Sequence, residues 1–598
     1  MESEAVMGST SGKLLRVNLS KNSLRVEKIS KDLFKKYIGG RGLGVKILSD
    51  EVNPKTEPFG EANKVIFAAG PLTGTSIPTA ARYEVVTKSP LTGTITGANA
   101  GGVFGARLKK AGLDAIVIEG KAKVPVFLWV DDEDYEIKVG EELWGSDTHQ
   151  TTDKIKKIIG KKSISVACIG PAGEHLVKFA SVINDKHRAA ARGGAGAVLG
   201  AKKLKAIAVF GSKEIDMVDQ NIISKKNRMI LDKIKTTTVT NVNLREYGTA
   251  KILDSVNDYK LLGTKNFQIN YFEHAKDINA EKLRNTLLIK NKACYRCPIP
   301  CKRVTRVDGK RGEGPEFETI WAFGAQCGIR DIKLIARANY LCNELGLDTI
   351  STGNTIGCAI ELSEKGFIPE KLSFGDGKKI LELTEMIAYR EGFGDGLAEG
   401  SFRLAESAGH PEVSMSVKKL ELPAYDPRGA FSQGLGYATS TRGACHVRAF
   451  VIKSDIAAGT VKLDKKSINS KVSLVKKTQD LAAVIDSLGL CLFSSFVCTI
   501  EDYWEYLEAA TNLGLKTSDE LLKAGERIWT LERVFNNNSG FTPLDDELPK
   551  RFAQEHVTDS LGNAHVWPEN ILIEHYYRKR GWTPKGIPTK KKLDELDI

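Results

Sequence analysis

Cysteine is scarce in this chain, ten residues in 598, and no apolar stretch approaches the ~18 to 20 residues that a membrane-spanning helix requires. The first scarcity argues against a disulfide-stapled secreted scaffold, and the second against helical membrane spans. Fixed-period repeats and low-complexity linkers are missing too, so neither a solenoid nor a string of loosely tethered domains is expected. The opening Met-Glu-Ser-Glu-Ala-Val-Met-Gly-Ser puts acidic residues where a signal peptide carries positive charge, and no apolar core follows, so the expected location is the cytoplasm. A composition 41% apolar and 27% charged excludes disorder.

What is present is a large, basic, glycine-rich protein. The net charge of +13 would draw an anionic cofactor, an acidic protein or a nucleic acid. At the scale of the whole chain the cations are spread out, apart from Lys590 to Lys592, and no aromatic-plus-basic motif accompanies them. A solvated surface is the plainer reading, and nucleic acid is not an expected partner.

Residues 13 to about 215 read as strands. Lys13 to Leu19 and Leu24 to Ile29 flank a polar turn like a hairpin, and short apolar runs then end in glycine at Val65 to Gly70, Ala115 to Gly120, Val166 to Gly170 and Ala206 to Gly211. Between them lie three glycine-rich stretches expected to be loops: Gly39 to Gly44, Thr94 to Gly102 and Arg192 to Gly200. A dinucleotide fingerprint is not supported, because the first lacks a suitable preceding strand and the third leads into no βαβ unit. Beyond residue 217 helical spacing takes over: Leu334, Ala338, Leu341 and Leu345 recur on one face and Gly346 follows as a stop, with further amphipathic segments at Lys476 to Leu488 and Tyr503 to Leu513. The expected fold class is α+β. A strand-rich N-terminal domain over 1–216 precedes two mainly helical domains over 217–422 and 423–598.

Three of the ten cysteines, Cys294, Cys297 and Cys301, fall within eight residues, in Ala-Cys-Tyr-Arg-Cys-Pro-Ile-Pro-Cys-Lys. The C-x2-C-x3-C spacing lets one loop aim three thiolates at a common centre, and its prolines limit the conformations to be frozen. A fourth ligand must come from elsewhere, and the run alone does not choose between zinc and an iron-sulfur cluster. An internal echo supplies a candidate. Asn343-Glu-Leu-Gly-Leu-Asp348 and Asp486-Ser-Leu-Gly-Leu-Cys491 share one frame, each at the end of an amphipathic helix; they are either two chance helix caps or paired half-sites for two copies of one ligand, and the second brings Cys491.

With Gly70-Pro-Leu-Thr-Gly-Thr, Arg82-Tyr, Thr87-Lys-Ser-Pro-Leu-Thr-Gly, His187-Arg-Ala-Ala, Gly314-Pro-Glu-Phe-Glu, Asp426-Pro-Arg-Gly and Gly434-Leu-Gly-Tyr-Ala-Thr added, the chain closely resembles the tungsten-containing aldehyde:ferredoxin oxidoreductases along nearly its whole length. The resemblance implies a tungsten bis-pterin centre, for which molybdenum is a possible substitute, beside a 4Fe-4S cluster held by Cys294, Cys297, Cys301 and Cys491, the domains enclosing both. It implies that Asp348 and Asp486 accept hydrogen bonds from the pterins, with Asn343, Gly346, Leu347, Gly489, Leu490 and Leu492 completing the two half-sites. It further implies that the main-chain carbonyls of Asn99 and Ala189 hold a magnesium between the pterin phosphates. Gly101 and Ala191 would line the same cradle, Arg188 and Arg448 would neutralise phosphate or pterin charge, and Arg82 would stand between pterin and cluster. Each arginine has a plain alternative as a surface salt bridge.

For the chemistry, the resemblance singles out Glu318 and His446 as the residues that handle protons, where the residues alone would read as a helix-end carboxylate and a satisfied core histidine. It implies oxidation of a small aldehyde to its acid, with electrons passed to ferredoxin, in a homo- or hetero-oligomer. A catalytic subunit of a low-potential reductase acting on an aromatic acyl thioester is the alternative within the same scaffold, and a zinc-stabilised nucleic-acid-binding protein the alternative outside it. One departure stands out. The family positions for an intersubunit iron carry Arg337 and Leu381 here, and neither is an iron ligand.

Overall fold

The hairpin at the start of the chain forms as expected: β1 (Lys13–Asn18) and β2 (Ser23–Lys28) pair antiparallel across a turn in which Asn22 takes the left-handed conformation. The structure is a computed structural model that describes residues 8–161, 163–458, 465–568 and 571–598. Residues 1–7, where the sequence shows no signal-peptide pattern, lie outside the described residues.

Four more strands join the hairpin. β3 (Val65–Ala69), β4 (Tyr83–Lys88), β5 (Ile95–Ala100) and β6 (Ala115–Glu119) complete a six-stranded sheet in the order β2-β1-β6-β3-β4-β5, with β1 and β6 parallel and every other neighbour antiparallel. The next six strands repeat this plan. β7 (Val126–Asp131), β8 (Asp134–Val139), β9 (Ser165–Cys168), β10 (Val182–Asn184), β11 (Arg188–Ala190) and β12 (Leu204–Phe210) run β8-β7-β12-β9-β10-β11, and here β7 and β12 are the parallel pair. The strand-rich domain is therefore a structural duplication. Apolar side chains of both sheets, among them Phe67, Ile116, Leu128, Ile169 and Ile207, share one buried core.

The duplication extends to what each sheet holds. β3 leads into Gly70-Pro71 and β9 into Gly170-Pro171, and each glycine meets the end of one helix. A Cβ on Gly70 would lie 2.1 Å from the carbonyl carbon of Leu488, last residue of the helix Lys465–Leu488; a Cβ on Gly170 would lie 2.3 Å from the carbonyl oxygen of Leu345, last residue of the helix Ile332–Leu345. Both helices stop in one way. Gly346 and Gly489 each have φ +79°, and the following amides, Leu347 and Leu490, reach back to the carbonyls of Cys342 (2.9 Å) and Ile485 (3.2 Å). The echo in the sequence is thus a pair of equivalent helix ends on equivalent loops.

The three glycine-rich stretches are not loops. Gly40–Glu51 is a helix, Thr94 to Gly102 is mostly β5, and Ala195–Ala201 is a helix. Close packing is the reason: a Cβ on Gly42 would stand 2.1 Å from the Tyr37 carbonyl oxygen and one on Gly200 1.9 Å from that of Gly173. Past residue 217 helices dominate, as their spacing predicts, with one exception. β13 (Leu288–Lys292), β14 (Lys302–Val307) and β15 (Lys310–Glu313) form an antiparallel meander, and the cysteine run is the β13–β14 connection. Among the described residues no helix is long and apolar enough to cross a membrane.

Candidate active site

A cavity of about 650 Å³ opens where the strand-rich domain meets the helical part. One rim carries the thiols. The Tyr295 amide donates to the Gly102 carbonyl (3.0 Å), which seats the cysteine loop on β5's end so tightly that a Cβ on Gly101 would be 2.9 Å from Cys294 Sγ. Arg82 gathers the set. Its Nη2 donates to Cys491 Sγ at 3.2 Å and its Nη1 to Asn99 Oδ1 at 3.1 Å; burial works against its charge, but Cys491, Cys294 and Cys301 together hold its pKa up. Burial pushes the thiols of Cys297 and Cys301 up, Cys301 to about 12, whereas Arg188 and Arg82 overcome burial at Cys294 and lower it. Three thiols from one loop and a fourth from beyond the end of the helix Lys465–Leu488 thus form one group: Cys294, Cys301 and Cys491 face the Arg82 guanidinium, and Cys297 lies within electrostatic reach of the other three.

The walls bring together most of the residues singled out from the sequence. Asn99, Gly101, Arg188, Ala189 and Ala191 line the side formed by β5 and β11, while Asn343, Leu347 and Asp348 come from the first helix end and Leu492 from beyond the second. Gly346, Gly489 and Leu490 shape those turns instead of lining the cavity. Asp486 and Arg448 are not among the lining residues and form an ion pair with each other: Arg448 Nη1 lies 2.6 Å from Asp486 Oδ2 and its Nη2 donates to the Gly97 carbonyl (2.7 Å). Asp348, too, has a protein partner, Arg192 Nε at 3.2 Å, and caps the helix Thr349–Glu364 through the Ile350 amide.

Arg192 and Arg442 line the cavity and were not among the residues picked from the sequence. The signal for Arg192 was available, since it opens the stretch quoted for its glycines. Several polar atoms here are buried without a hydrogen-bond partner: Arg192 Nη1, Arg442 Nε, Arg448 Nε, Glu318 Oε1 and His446 Nδ1. A native fold does not leave so many groups unpaired around an apolar void; the donor-rich cavity fits a large polar, anionic ligand.

Glu318 and His446 lie on its floor. Glu318 sits in the first turn of the helix Phe317–Phe323, so the helix-end reading was correct about position. Its Oε2 accepts the Ala424 amide at 3.0 Å, its Oε1 stands 3.8 Å from His446 Nδ1, and burial pushes its carboxyl up to about 8. His446 is pushed down to about 3, by burial first and then by Arg192 and Arg442. At neutral pH the acid is mostly protonated and the imidazole neutral, the separation of duties that acid–base chemistry on a carbonyl requires. Of the departing positions, Arg337 pairs with Asp308 and Leu381 packs half-buried against the large core.

A group of four thiols, two of them lining the cavity, a paired acid and imidazole, and a cationic wall define the class as an oxidoreductase. The chain belongs to the aldehyde ferredoxin oxidoreductase family: the model of its N-terminal domain matches residues 14–211 and that of its domains 2 and 3 matches residues 225–598. It is 48% identical over 597 residues to a tungsten-containing aldehyde ferredoxin oxidoreductase of Pyrococcus furiosus and 47% identical to one of Thermococcus kodakarensis, covering 98% of both chains in each comparison. Among solved structures it is similar to the active-site complex BamBC of benzoyl coenzyme A reductase with 1,5-dienoyl-CoA, with a TM-score of 0.84, 25% identity, and coverage of 99% of this chain and 97% of that one.

Proposed function

We propose that this enzyme oxidises aldehydes to carboxylic acids at a tungsten centre held by two pterins, and that the electrons leave through a 4Fe-4S cluster to ferredoxin. The observation that carries this reading is the gathering of Cys294, Cys297, Cys301 and Cys491 into one group beside Arg82, next to a cavity that also holds Glu318 and His446. No three His, Cys, Asp or Glu side chains among the described residues converge closely enough for a single metal ion, whereas a cubane accepts thiolates set farther apart. Arg192, Arg442 and Arg188 supply charge for pterin phosphates, and the carbonyls of Asn99 and Ala189 are hard ligands suited to magnesium. The domains proposed are 1–216, 217–422 and 423–598.

When bound, the tungsten centre supplies the two-electron oxidant and polarises the aldehyde oxygen. Aldehyde and water yield acid, two electrons and two protons. Glu318, in its carboxylate form, accepts a proton from water as the carbonyl carbon is attacked, and the Ala424 amide holds its other oxygen in place. Neutral His446 orients the carbonyl or passes the proton outward. The 48% identity to an aldehyde enzyme supports this chemistry over reduction of an aromatic thioester, where the structural relative shares 25%. The test is elemental analysis of anaerobically purified protein, coupled to an aldehyde panel with benzyl viologen. About one tungsten and four irons per chain with aldehyde-dependent viologen reduction are expected; molybdenum in place of tungsten would change the metal and keep the chemistry, and zinc alone without activity would overturn the proposal.

A further inference from the structure

The excess positive charge is concentrated in one place. Residues 282–311 hold ten cations, Lys282, Arg284, Lys290, Lys292, Arg296, Lys302, Arg303, Arg306, Lys310 and Arg311, against a single acid, Asp308, so thirty residues account for +9 of the chain's +13. This corrects the whole-chain reading of an evenly spread charge. The segment runs from the helix Ala280–Thr286, which carries Lys282 and Arg284, through β13, the cysteine loop and β14 to the first two residues of β15.

Pairing sorts these cations by face. Lys292 opposes Lys302 and Arg306 opposes Arg311, so with Lys290, opposite Val304, five cations stand on one side of a three-stranded sheet. Part of that charge is neutralised, Lys292 by Glu313 (2.9 Å) and Lys302 by Glu316 (2.5 Å). Lys290 and Arg296 are exposed and form no ion pair among the described residues. Arg296 lies between Cys294 and Cys297 and rests over the Tyr295 ring, 5.5 Å from its centroid. Exposed Ile289 adds an apolar contact beside Lys290. Cys294, Cys297 and Cys301 themselves are only partly buried, so the thiol set lies just beneath this surface.

We infer that the basic face of β13 and the cysteine loop, centred on Lys290 and Arg296, is the docking surface for an acidic one-electron carrier protein. The inference rests on the proposed function and adds the place and the residues. A small interface with an apolar centre and unpaired cations at its edge suits a partner that must arrive quickly and leave after one electron; charge sets its arrival rate and makes that rate fall with salt.

The test compares the holoenzyme with Lys290→Glu and with Lys290→Glu/Arg296→Glu, using a purified acidic low-potential ferredoxin and, separately, benzyl viologen. Expected is a roughly tenfold or greater loss of kcat/KM for ferredoxin at low salt in the double variant, a flatter dependence on ionic strength, and unchanged viologen turnover. Unchanged ferredoxin kinetics and salt slope in both variants would overturn it. Calorimetric binding of oxidised ferredoxin reports the surface even in protein that turns over no aldehyde, and so separates failure of this inference from failure of the proposed function. Binding of a duplex oligonucleotide lost in the same variants, with no ferredoxin binding at all, would overturn it too.

Discussion

Glu318 is a carboxyl that its surroundings keep from ionising. Burial raises its pKa to about 8, and no cation within hydrogen-bond reach brings it back. If it serves as the base, its active form is the carboxylate, which is the minor form at pH 7 and predominates above about pH 8. Aldehyde oxidation should therefore rise with pH and level off above that value, and a profile that falls over the same range would assign it the opposite role. Glu318→Gln keeps an acceptor for the Ala424 amide but cannot take a proton, so turnover should drop ~10² to 10⁴-fold with the cluster's absorption and EPR signals intact. Cys491→Ser is expected to do the reverse and lose the cluster signal first. The structure shows why Glu318 was identifiable in the sequence only by resemblance: its neighbours His446 and Ala424 lie more than a hundred residues away, and nothing local distinguishes it from any acid in a first helical turn.

Glycine tells a related story at the level of elements. Strands bounded by glycine and the helix ended by Gly346 were legible because periodicity and caps are local signals. The stretches Gly39 to Gly44, Thr94 to Gly102 and Arg192 to Gly200 were misread as loops, because their glycines answer to atoms brought in from distant segments. The β13–β15 meander was missed for another reason: its strands are short, half-exposed and rich in lysine and arginine, so no apolar alternation marks them. The duplicated sheets were not legible either, since only the Gly-Pro pairs and the two helix-end frames betray them. The mirrored grips make a paired prediction. Gly70→Ala and Gly170→Ala should each lower the melting temperature and the bound metal content, because each Cβ must displace main-chain atoms of a helix end. Gly409→Ala, where φ is +79° and nothing lies within 4 Å, should cost only about 1 kcal/mol by thermal denaturation.

Across the whole molecule, the first and last parts of the chain are locked by buried charge. Arg41, with no exposed surface, forms a two-pronged pair with Glu532, Nε to Oε1 at 2.8 Å and Nη2 to Oε2 at 2.7 Å, and Glu532 also accepts from Thr441. Glu532→Gln leaves the buried guanidinium with only the longer contact to Asp486, Nη1 to Oδ2 at 3.4 Å, as counter-charge and should destabilise the fold by roughly 3 kcal/mol in chemical denaturation. The pairing holds the Glu532 pKa below the usual carboxylate range even against burial. Its stabilisation is therefore present above the unfolded-state pKa, ~4.3, and is lost as pH falls through the depressed folded value; the variant should show a shallower loss of stability in acid than the parent.

The two helix-end frames end in different residues. Where one supplies Asp348, buried and matched to Arg192, the other supplies Cys491, matched to Arg82 among the thiols. A scaffold built as a palindrome is thereby given a direction. On the proposed reading the two halves offer a symmetric ligand equivalent seats, but only one seat is wired: the divergence between aspartate and cysteine, together with the thiols of the β13–β14 loop, gives a symmetric clamp one side from which electrons can leave.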